Sequence, residues 1–211
     1  MSSREAIIGR IHAALAGIPD GERPEDLPIP RSYRRRHAQP GDDITTLFAE
    51  RVTDYQAAVT RTDRAHLPAA IAAALTARGA GYLALPEGFP IELLPPGDWQ
   101  WHTEPLDIPA LNAVDGTLTL AAAGIAVTGT IVLDTGPGQG RRALTLVPDY
   151  HLCIIDADQI AGDVPDTLDR LDPARPLTFI SGPSATSDIE LDRVEGVHGP
   201  RTLHVIIVEN S

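Results

Sequence analysis

Lysine is absent from this chain of 211 residues, and all 17 of its strongly basic side chains are arginine. The absence excludes a Walker A loop, which needs a lysine on the phosphates, and also Schiff-base and pyridoxal-phosphate chemistry, which needs a lysine amine. Any bound anion must therefore be held by guanidinium or by backbone N–H groups. A GC-rich genome would also explain the choice of arginine, given 18 glycines and 19 prolines.

Cysteine is nearly absent, since Cys153 is the single example. One cysteine cannot form an internal disulfide and cannot alone ligate an iron–sulfur cluster or a structural zinc, which predicts a reducing compartment, the cytoplasm. Cys153 stands in the apolar run LCII, which is more typical of a small buried hydrophobe than of a nucleophile. The histidines show no metal-ligand spacing. We therefore expect no metal site and no cofactor in this chain.

Long apolar runs and excess positive charge are also missing. No stretch approaches about 20 apolar residues, so no membrane insertion is expected. The N-terminus mixes charges among its apolar residues, unlike a secretory signal. With 29 acidic against 17 basic residues the formal net charge is -12, which disfavours binding to nucleic acid or to acidic membranes. A local arginine cluster can still bind one small anionic ligand.

The chain is predicted to have two parts, an N-terminal helix and arm at 1–41 and an α/β domain at 42–211. Ile7, Ile8, Ile11 and Leu15 recur at helical spacing after Ser2 and Ser3, either of which can cap the helix. The segment 18–41 is rich in proline and glycine and shows no period, which indicates an extended arm. This arm carries a candidate partner-contact cluster, namely Arg34, Arg35 and Arg36.

From residue 42 onward, helices alternate with short apolar strands. This order predicts an α/β fold, with a single mixed, largely parallel sheet and helices on both faces. Helices are expected near 44–52, 67–75, 105–113 and 164–171. Strands are expected near 57–60, 82–85, 99–101, 118–122, 130–133, 144–147, 152–155, 177–180 and 203–208.

A glycine-rich turn after the strand that ends at Asp134 is the first candidate ligand site. Its residues are Gly136, Gly138, Gln139 and Gly140, followed by Arg141 and Arg142. Glycines let backbone N–H groups approach a ligand closely, and two guanidinium groups can neutralise a phosphate or a carboxylate. We interpret the turn as an anion site, although such turns also serve as ordinary strand connections.

Hydroxyl side chains follow the strand at 177–180 and form a second candidate region. Ser181, Ser184 and Thr186 could fix a phosphate or acyl oxygen, because loops at the carboxyl ends of strands bind ligands in open α/β sheets. The alternative is structural, with Ser187 capping a helix and Glu190 completing a capping box.

Two titratable residues near this region are candidate catalytic groups. His198 stands in the segment GVHGPR just before the last strand, where an imidazole can act as an acid or base near neutral pH. Asp188 belongs to the segment SDIE, and its carboxylate could also move a proton. A solvated or capping role for Asp188, and a structural hydrogen bond for His198, are the alternatives.

Three segments carry a resemblance to a known family, and they follow one another between residues 124 and 208. GTIVLDTGPGQGRRALTLVPDYHLCII, TFISGPSATSDIE and GVHGPRTLHVIIV resemble the LUD-domain family, specifically its lactate-utilisation protein C branch. The resemblance implies a fold similar to the NagB, ribose-phosphate isomerase and CoA-transferase superfamily, with a smaller β appendage. It also implies a role in bacterial oxidation of L-lactate to pyruvate, beside two iron–sulfur partner proteins.

One position departs from the family pattern. Members often carry an acidic residue just before the TGT motif, where this chain has Val127. CoA transferases of this fold use a glutamate as covalent nucleophile, and valine cannot do so. The departure favours an accessory subunit over an independent catalyst.

Two alternatives stay open: a stand-alone enzyme acting on a phosphorylated sugar, a CoA ester or a small carboxylate, and a metabolite-binding protein. In the enzyme, Arg141 and Arg142 would hold the anion while Ser184 and Thr186 orient the substrate. The sequence leaves open whether the protein is a monomer or a homo-oligomer.

Overall fold

A computed structural model describes residues 2–17, 21, 23, 29–30, 32–38, 41–186, 194–195 and 199–209, the side chains of 185–186 and 194–195 excepted. The chain separates into two compact units, Met1–Arg34 and Arg35–Ser211. The predicted boundary at residue 41 remains a prediction. Within the described ranges, no helix has the length and apolar character needed to cross a bilayer.

The first unit contains the predicted N-terminal helix, α1, at Ser3–Leu15. Ser2 caps it: its side chain accepts a hydrogen bond from the backbone N–H of Glu5, and the Glu5 carboxylate accepts one from the Ser2 backbone in return. This capping box satisfies donors that the first turn leaves without partners. No residue of α1 is buried.

Five parallel pairings build a six-stranded sheet in the second unit. Its order is β1-β12-β7-β4-β2-β3. The strands are β1 (Ala58–Asp63), β2 (Tyr82–Leu85), β3 (Gln100–Thr103), β4 (Gly116–Leu120), β7 (Tyr150–Asp156) and β12 (Thr202–Glu209). The α/β class and the largely parallel sheet are confirmed.

The expectation of a single mixed sheet is wrong, because a second sheet of four strands has the order β8-β5-β6-β9. Its strands are β5 (Ala123–Ile125), β6 (Thr130–Leu133), β8 (Ile160–Ala161) and β9 (Thr178–Ile180). Here β6 is antiparallel to both β5 and β9. A further pair, β10 (Ala185–Thr186) with β11 (Val194–Glu195), is also antiparallel. Short apolar runs predict strands but do not specify which partner each strand pairs with.

Helices and the second sheet cover the two faces of the six-stranded sheet. On one face α3 (Leu67–Arg78) packs through Leu67, Ile71 and Leu75 onto residues such as Leu152. On the other face α2 (Ile44–Asp54) and β6 pack onto Cys153 and other residues of β7 and β12. Two short helices complete the unit, α4 (Ile108–Ala113) and α5 (Val164–Leu168). Burial on both faces explains why β7 reads as a continuous apolar run.

One predicted strand, 144–147, is wrong. The segment forms a 3-10 turn at Arg142–Thr145. Its Leu144 is fully buried against Ala84 and Leu111, so the apolar pattern reflects packing of one side chain and not strand pairing. This turn matters for the site, because it orients Arg142.

Asp163 holds the start of the second unit. Its buried carboxylate accepts hydrogen bonds from the backbone N–H groups of His37 (2.8 Å) and Ala38 (3.3 Å) and lies 3.0 Å from His37 Nδ1. Burial alone would raise the pKa of Asp163, but these hydrogen bonds outweigh it and lower the pKa. The residues at 35–38 are thus fixed to the start of α5.

Candidate functional site

The predicted ligand-binding residues do not share one cavity, and Gln139 lines a pocket of its own beside Asp134 and Arg175. A cleft of about 630 Å³ is lined by Gly136, Gly140 and Arg141 together with Glu87 and Glu104, and we call it the glycine-turn cleft. A smaller cavity of about 240 Å³ is lined by Arg142, Thr145, His151, Thr178, Ser181 and Ser184, among others, and we call it the Arg142 cavity. Two arginines adjacent in sequence therefore line different sites.

The glycine turn is built by hydrogen bonds of its own. The Asp134 backbone N–H donates to Gln139 Oε1 at 2.6 Å, and the Gly136 N–H donates to Asp134 Oδ1 at 3.0 Å. Gly138 and Gly140 have φ of +74° and +73°. A Cβ on Gly138 would lie 2.8 Å from Leu120 Cδ1. These glycines are required by the turn itself, and Gln139 is buried within it.

The charges of the glycine-turn cleft are balanced without a ligand. Arg141 Nε donates to Glu104 Oε1 at 2.6 Å, and the Glu104 side chain is only 8% exposed. Arg141 Nη2 also donates to the carbonyl oxygen of Leu106. Because Glu87 adds a second carboxylate to the lining, the cleft has no surplus of positive charge. The cleft lies after the carboxyl ends of β2 and β3.

Arg142 is in a different electrostatic situation. Its Nη1 donates to Thr178 Oγ1 at 3.3 Å, and within the described part of the chain it forms no ion pair. The turn that carries it is closed by Thr145 Oγ1, which donates to the Arg142 carbonyl oxygen at 3.3 Å. Among the described residues, no carboxylate pairs with the Arg142 guanidinium, in a protein of formal net charge -12.

His151 forms an inner wall of the Arg142 cavity and was not predicted as a site residue. It lies near the amino end of β7, opposite Leu203 of β12. The residue is 1% exposed, and its Nε2 lies 2.8 Å from Thr119 Oγ1. Burial lowers the pKa of His151 to about 4. The available signal was a polar residue inside an apolar run, and the sequence could not show that it borders a cavity.

The hydroxyl region reaches the Arg142 cavity from the opposite side. Ser181 follows the carboxyl end of β9, as predicted, and its Oγ lies 2.8 Å from Thr130 Oγ1. The Ser184 backbone N–H donates to the Pro200 carbonyl oxygen at 2.8 Å, which joins the SGPS segment to the segment before β12. Relative to the six-stranded sheet, this places the cavity at the amino ends of β7 and β12.

Two glycines are fixed in place by the end of α2 and the residue after it. A Cβ on Gly129 would lie 2.6 Å from the Arg51 carbonyl carbon, and one on Gly182 would lie 2.7 Å from Tyr55 Cβ. Both glycines have positive φ, +57° and +83°. The close approach of α2 thus sets the path of the backbone beside the Arg142 cavity.

The remaining predicted catalytic and partner-contact residues either lie outside the described part of the chain or have contacts elsewhere. Asp188 and His198 lie outside the described residues, as does the side chain of Thr186. Arg35 pairs with Asp169, and Arg36 Nε lies 3.9 Å from Asp166 Oδ2. Arg34 is exposed and belongs to the first unit. Their roles stay predictions.

Comparison with known proteins gives a family for the chain. The family model described as the LUD domain matches residues 108–208. A protein of Deinococcus radiodurans named lactate utilization protein C is 44% identical over 206 residues, which cover 94% of this chain and 92% of that protein. The chain belongs to the LUD-domain family.

Other relatives agree with this assignment. A lactate utilization protein C of Halalkalibacterium halodurans is 35% identical over 103 residues, covering 44% of each chain. A crystal structure of a DUF162 family protein from Deinococcus radiodurans matches with a TM-score of 0.69 at 40% identity, covering 79% of this chain and 96% of that one.

The LUD-domain match separates the two cavities. All of the described residues that line the Arg142 cavity lie within 108–208. The glycine-turn cleft depends also on Glu87, Gly88, Glu104 and Pro105, which lie outside the match. The described lining of the Arg142 cavity therefore comes from the LUD domain itself, as does that of a separate pocket beside Asp134 and Arg175.

Val127, the departure from the family pattern, lines neither cavity. It borders a separate pocket with Arg51, Asp54 and Tyr55. Cys153 is fully buried, and burial raises its pKa to about 12, so its thiol is protonated at neutral pH. Among the described residues, no group of three His, Cys, Asp or Glu side chains could hold a metal ion.

Proposed function

We propose that this LUD-domain protein is a component of a bacterial lactate utilisation system that oxidises lactate to pyruvate. In this proposal it acts beside iron–sulfur partner proteins, carries no cluster of its own, and binds a small carboxylate in the Arg142 cavity. The assignment to lactate utilisation rests on the 44% identical relative, which covers 94% of this chain.

The observation that supports the binding site is the Arg142 guanidinium, which pairs with no carboxylate of the described residues. A guanidinium group offers a planar fork of donors that matches the two oxygens of a carboxylate. Thr178 holds one end of this fork, with Arg142 Nη1 to Thr178 Oγ1 at 3.3 Å. The cavity volume of about 240 Å³ lies below the ~300–1,000 Å³ of pockets for drug-sized ligands, which favours a ligand of few atoms.

The chemistry of the chain supports a division of labour with redox partners. Iron–sulfur clusters are held by several cysteine thiolates, whereas this sequence has one cysteine. Oxidation of lactate needs an electron acceptor, so in this proposal the partner proteins receive the electrons. The role of this chain is then to bind the carboxylate and to contact those partners.

Two measurements test the proposal. The tagged protein, isolated from lactate-grown cells, should co-purify with iron-containing polypeptides, and a preparation without iron or partners would contradict the partner role. Thermal shift with lactate and pyruvate tests the site, since a ligand at 100 times its dissociation constant adds about 2.7 kcal/mol to stability.

Substitution of Arg142 locates the site. Arg142→Gln should abolish the thermal shift. Arg170→Gln is the matched control, because Arg170 is exposed, lies outside the Arg142 cavity and donates to the Asp158 carbonyl oxygen at 3.4 Å. An unchanged thermal shift in Arg142→Gln would show that the ligand does not bind in this cavity. Loss of the thermal shift only in Arg141→Gln would show that it binds in the glycine-turn cleft.

A further inference from the structure

The strand β9 is the last strand of the four-stranded sheet, and one of its sides is open. β6 pairs with one side, and among the described residues no strand pairs with the other. An edge strand presents backbone N–H and C=O groups without partners, and proteins usually protect such edges with charged residues or proline. β9 contains neither, since it consists of Thr178, Phe179 and Ile180, and Phe179 is 48% exposed. Another strand can therefore be added to this edge.

The Arg142 cavity borders this open edge. All three residues of β9, which are Thr178, Phe179 and Ile180, line it. Successive side chains of a strand point to opposite faces of the sheet, so a cavity confined to one face would be lined mainly by alternate residues. Such a cavity would also be lined by the neighbouring strand, yet no residue of β6 belongs to the described lining. The cavity therefore reaches the backbone of β9 on the side away from β6.

Arg142 lies at the beginning of the open edge. Its Nη1 donates to Thr178 Oγ1 at 3.3 Å, and Thr178 is the first residue of β9. A segment added antiparallel to β9 would run from Ile180 toward Thr178, so a carboxyl terminus at its end would come to the guanidinium group. A segment added in the parallel direction would instead bring an amino terminus there, and two like charges repel each other. The charge of Arg142 thus favours the antiparallel direction.

The lining also indicates the chemistry of the terminal residue. Leu146 and Phe179 are 36% and 48% exposed, and both line the cavity. No carboxylate belongs to the described lining. An apolar side chain at the end of the segment would cover these two side chains, and burial of apolar surface is favourable.

We propose that the Arg142 cavity and the open edge of β9 bind the carboxyl-terminal segment of a partner polypeptide that ends in an apolar residue. The segment adds to β9 as an antiparallel strand through backbone hydrogen bonds, and Arg142 binds its terminal carboxylate. The cavity of about 240 Å³ receives the end of the segment, while the residues before it lie along β9. This inference rests on the carboxylate site of the proposed function and adds a macromolecular ligand to it.

Calorimetric titration of the full chain with matched peptides tests the carboxylate contact. The probe is an acetylated peptide of alternating threonine and valine that ends in valine, and its carboxamide is the control. The free acid should bind at least about tenfold more tightly, a difference of about 1.4 kcal/mol, because a hydrogen bond to a charged group is about twice as strong as a neutral one. This comparison needs no variant, so a failure of a variant to fold does not affect it.

Methylation of backbone nitrogens in the peptide tests strand addition. Alternate N–H groups of a strand face the same side, so one set would donate to β9 and the other set would face away from it. Methylation of the set that faces β9 should abolish binding, whereas methylation of the other set should retain most of the affinity. Equal affinities for the two methylated peptides would overturn the inference.

Substitution of Arg142 locates the terminal carboxylate. Arg142→Gln should remove the difference in affinity between the free acid and the carboxamide. Arg170→Gln is the matched control and should keep that difference, because Arg170 lies outside the Arg142 cavity. A difference that persists in Arg142→Gln would overturn the assignment of the carboxylate to Arg142.

The outcomes separate this inference from the proposed function. Thermal shifts with lactate or pyruvate that depend on Arg142, without binding of the free-acid peptide, overturn the inference and leave the small-carboxylate site standing. Equal affinities for the free acid and the carboxamide also overturn it. A dimer of the protein alone that the free acid dissociates would assign the open edge to a second copy of this chain, which overturns the partner polypeptide as well. Absence of any response to the peptides and to the small carboxylates overturns both proposals for the Arg142 cavity.

Discussion

Gly129→Ala should destabilise the protein far more than Gly79→Ala, although both glycines have nearly the same backbone conformation. Gly79 ends α3 at φ +70° and ψ 25°, and Gly129 ends a 3-10 turn at φ +57° and ψ 37°. Both substitutions therefore share the cost of placing an L-residue in the left-handed region. They differ in surroundings, because a Cβ on Gly79 would meet nothing within 4 Å and one on Gly129 would lie 2.6 Å from the Arg51 carbonyl carbon.

The magnitudes follow from these two terms. The left-handed conformation costs an L-residue about 1–2 kcal/mol, which is the full expected effect for Gly79→Ala. At Gly129 the added methyl group must also displace the backbone of α2, and overpacking of this kind costs about 1–3 kcal/mol more. Gly129→Ala should therefore lower the free energy of unfolding by roughly 2–5 kcal/mol.

Urea denaturation followed by tryptophan fluorescence measures both changes, since the chain has two tryptophans. The slope of the free energy against urea should stay the same in both variants, so that the difference in midpoint reports stability. Equal destabilisation by the two substitutions would refute the reasoning, because it would show that α2 does not depend on the absence of a Cβ at Gly129.

Two further predictions concern buried titratable groups. Burial lowers the pKa of His151 to about 4 from the ordinary histidine value of 6.5, so between these two pH values the unfolded chain binds a proton that the folded chain does not. The free energy of unfolding should fall as pH decreases through that window, by up to about 1.4 kcal/mol per pH unit. Urea denaturation at several pH values should show a weaker pH dependence in His151→Gln, and an equal pH dependence in both proteins would contradict this. Asp163→Ala should lower the free energy of unfolding by about 1.5–3 kcal/mol, because the His37 and Ala38 N–H groups lose their acceptor. The same loss should speed tryptic cleavage after Arg35 and Arg36. Asp169→Ala, at an exposed ion pair with Arg35, should change stability by less than about 1 kcal/mol, and similar cleavage rates in both variants would exclude this role of Asp163.

Elements defined by local signals could be predicted from the sequence. Ser2 and Glu5 form the capping box of α1, Gly79 ends α3, and β2 and β6 have the predicted bounds. Each of these depends on residues within a few positions of one another. The strand predicted at 144–147 failed because its apolar residues pack against Ala84 and Leu111, which are distant in the sequence.

The candidate site was predicted in part. The sequence indicated Arg142, Ser181 and Ser184, and these line one cavity. It also grouped Arg141 with Arg142, whereas the structure places them in different cavities. Adjacent side chains diverge when the backbone between them leaves a turn, and residue spacing alone does not determine where each one points.

The sequence by itself determined the chemistry that is excluded and the class of the fold. The absence of lysine and the single cysteine restrict anion binding to arginine and backbone N–H groups and exclude a cluster held by this chain alone. Only the tertiary structure decided which of the two adjacent arginines, Arg141 or Arg142, is available to bind an anion. Glu104 neutralises Arg141 from 37 positions away, and the pairing of β4 with β7 brings His151 to Thr119. Charge compensation and hydrogen bonding depend on distance in space, which the order of residues does not fix.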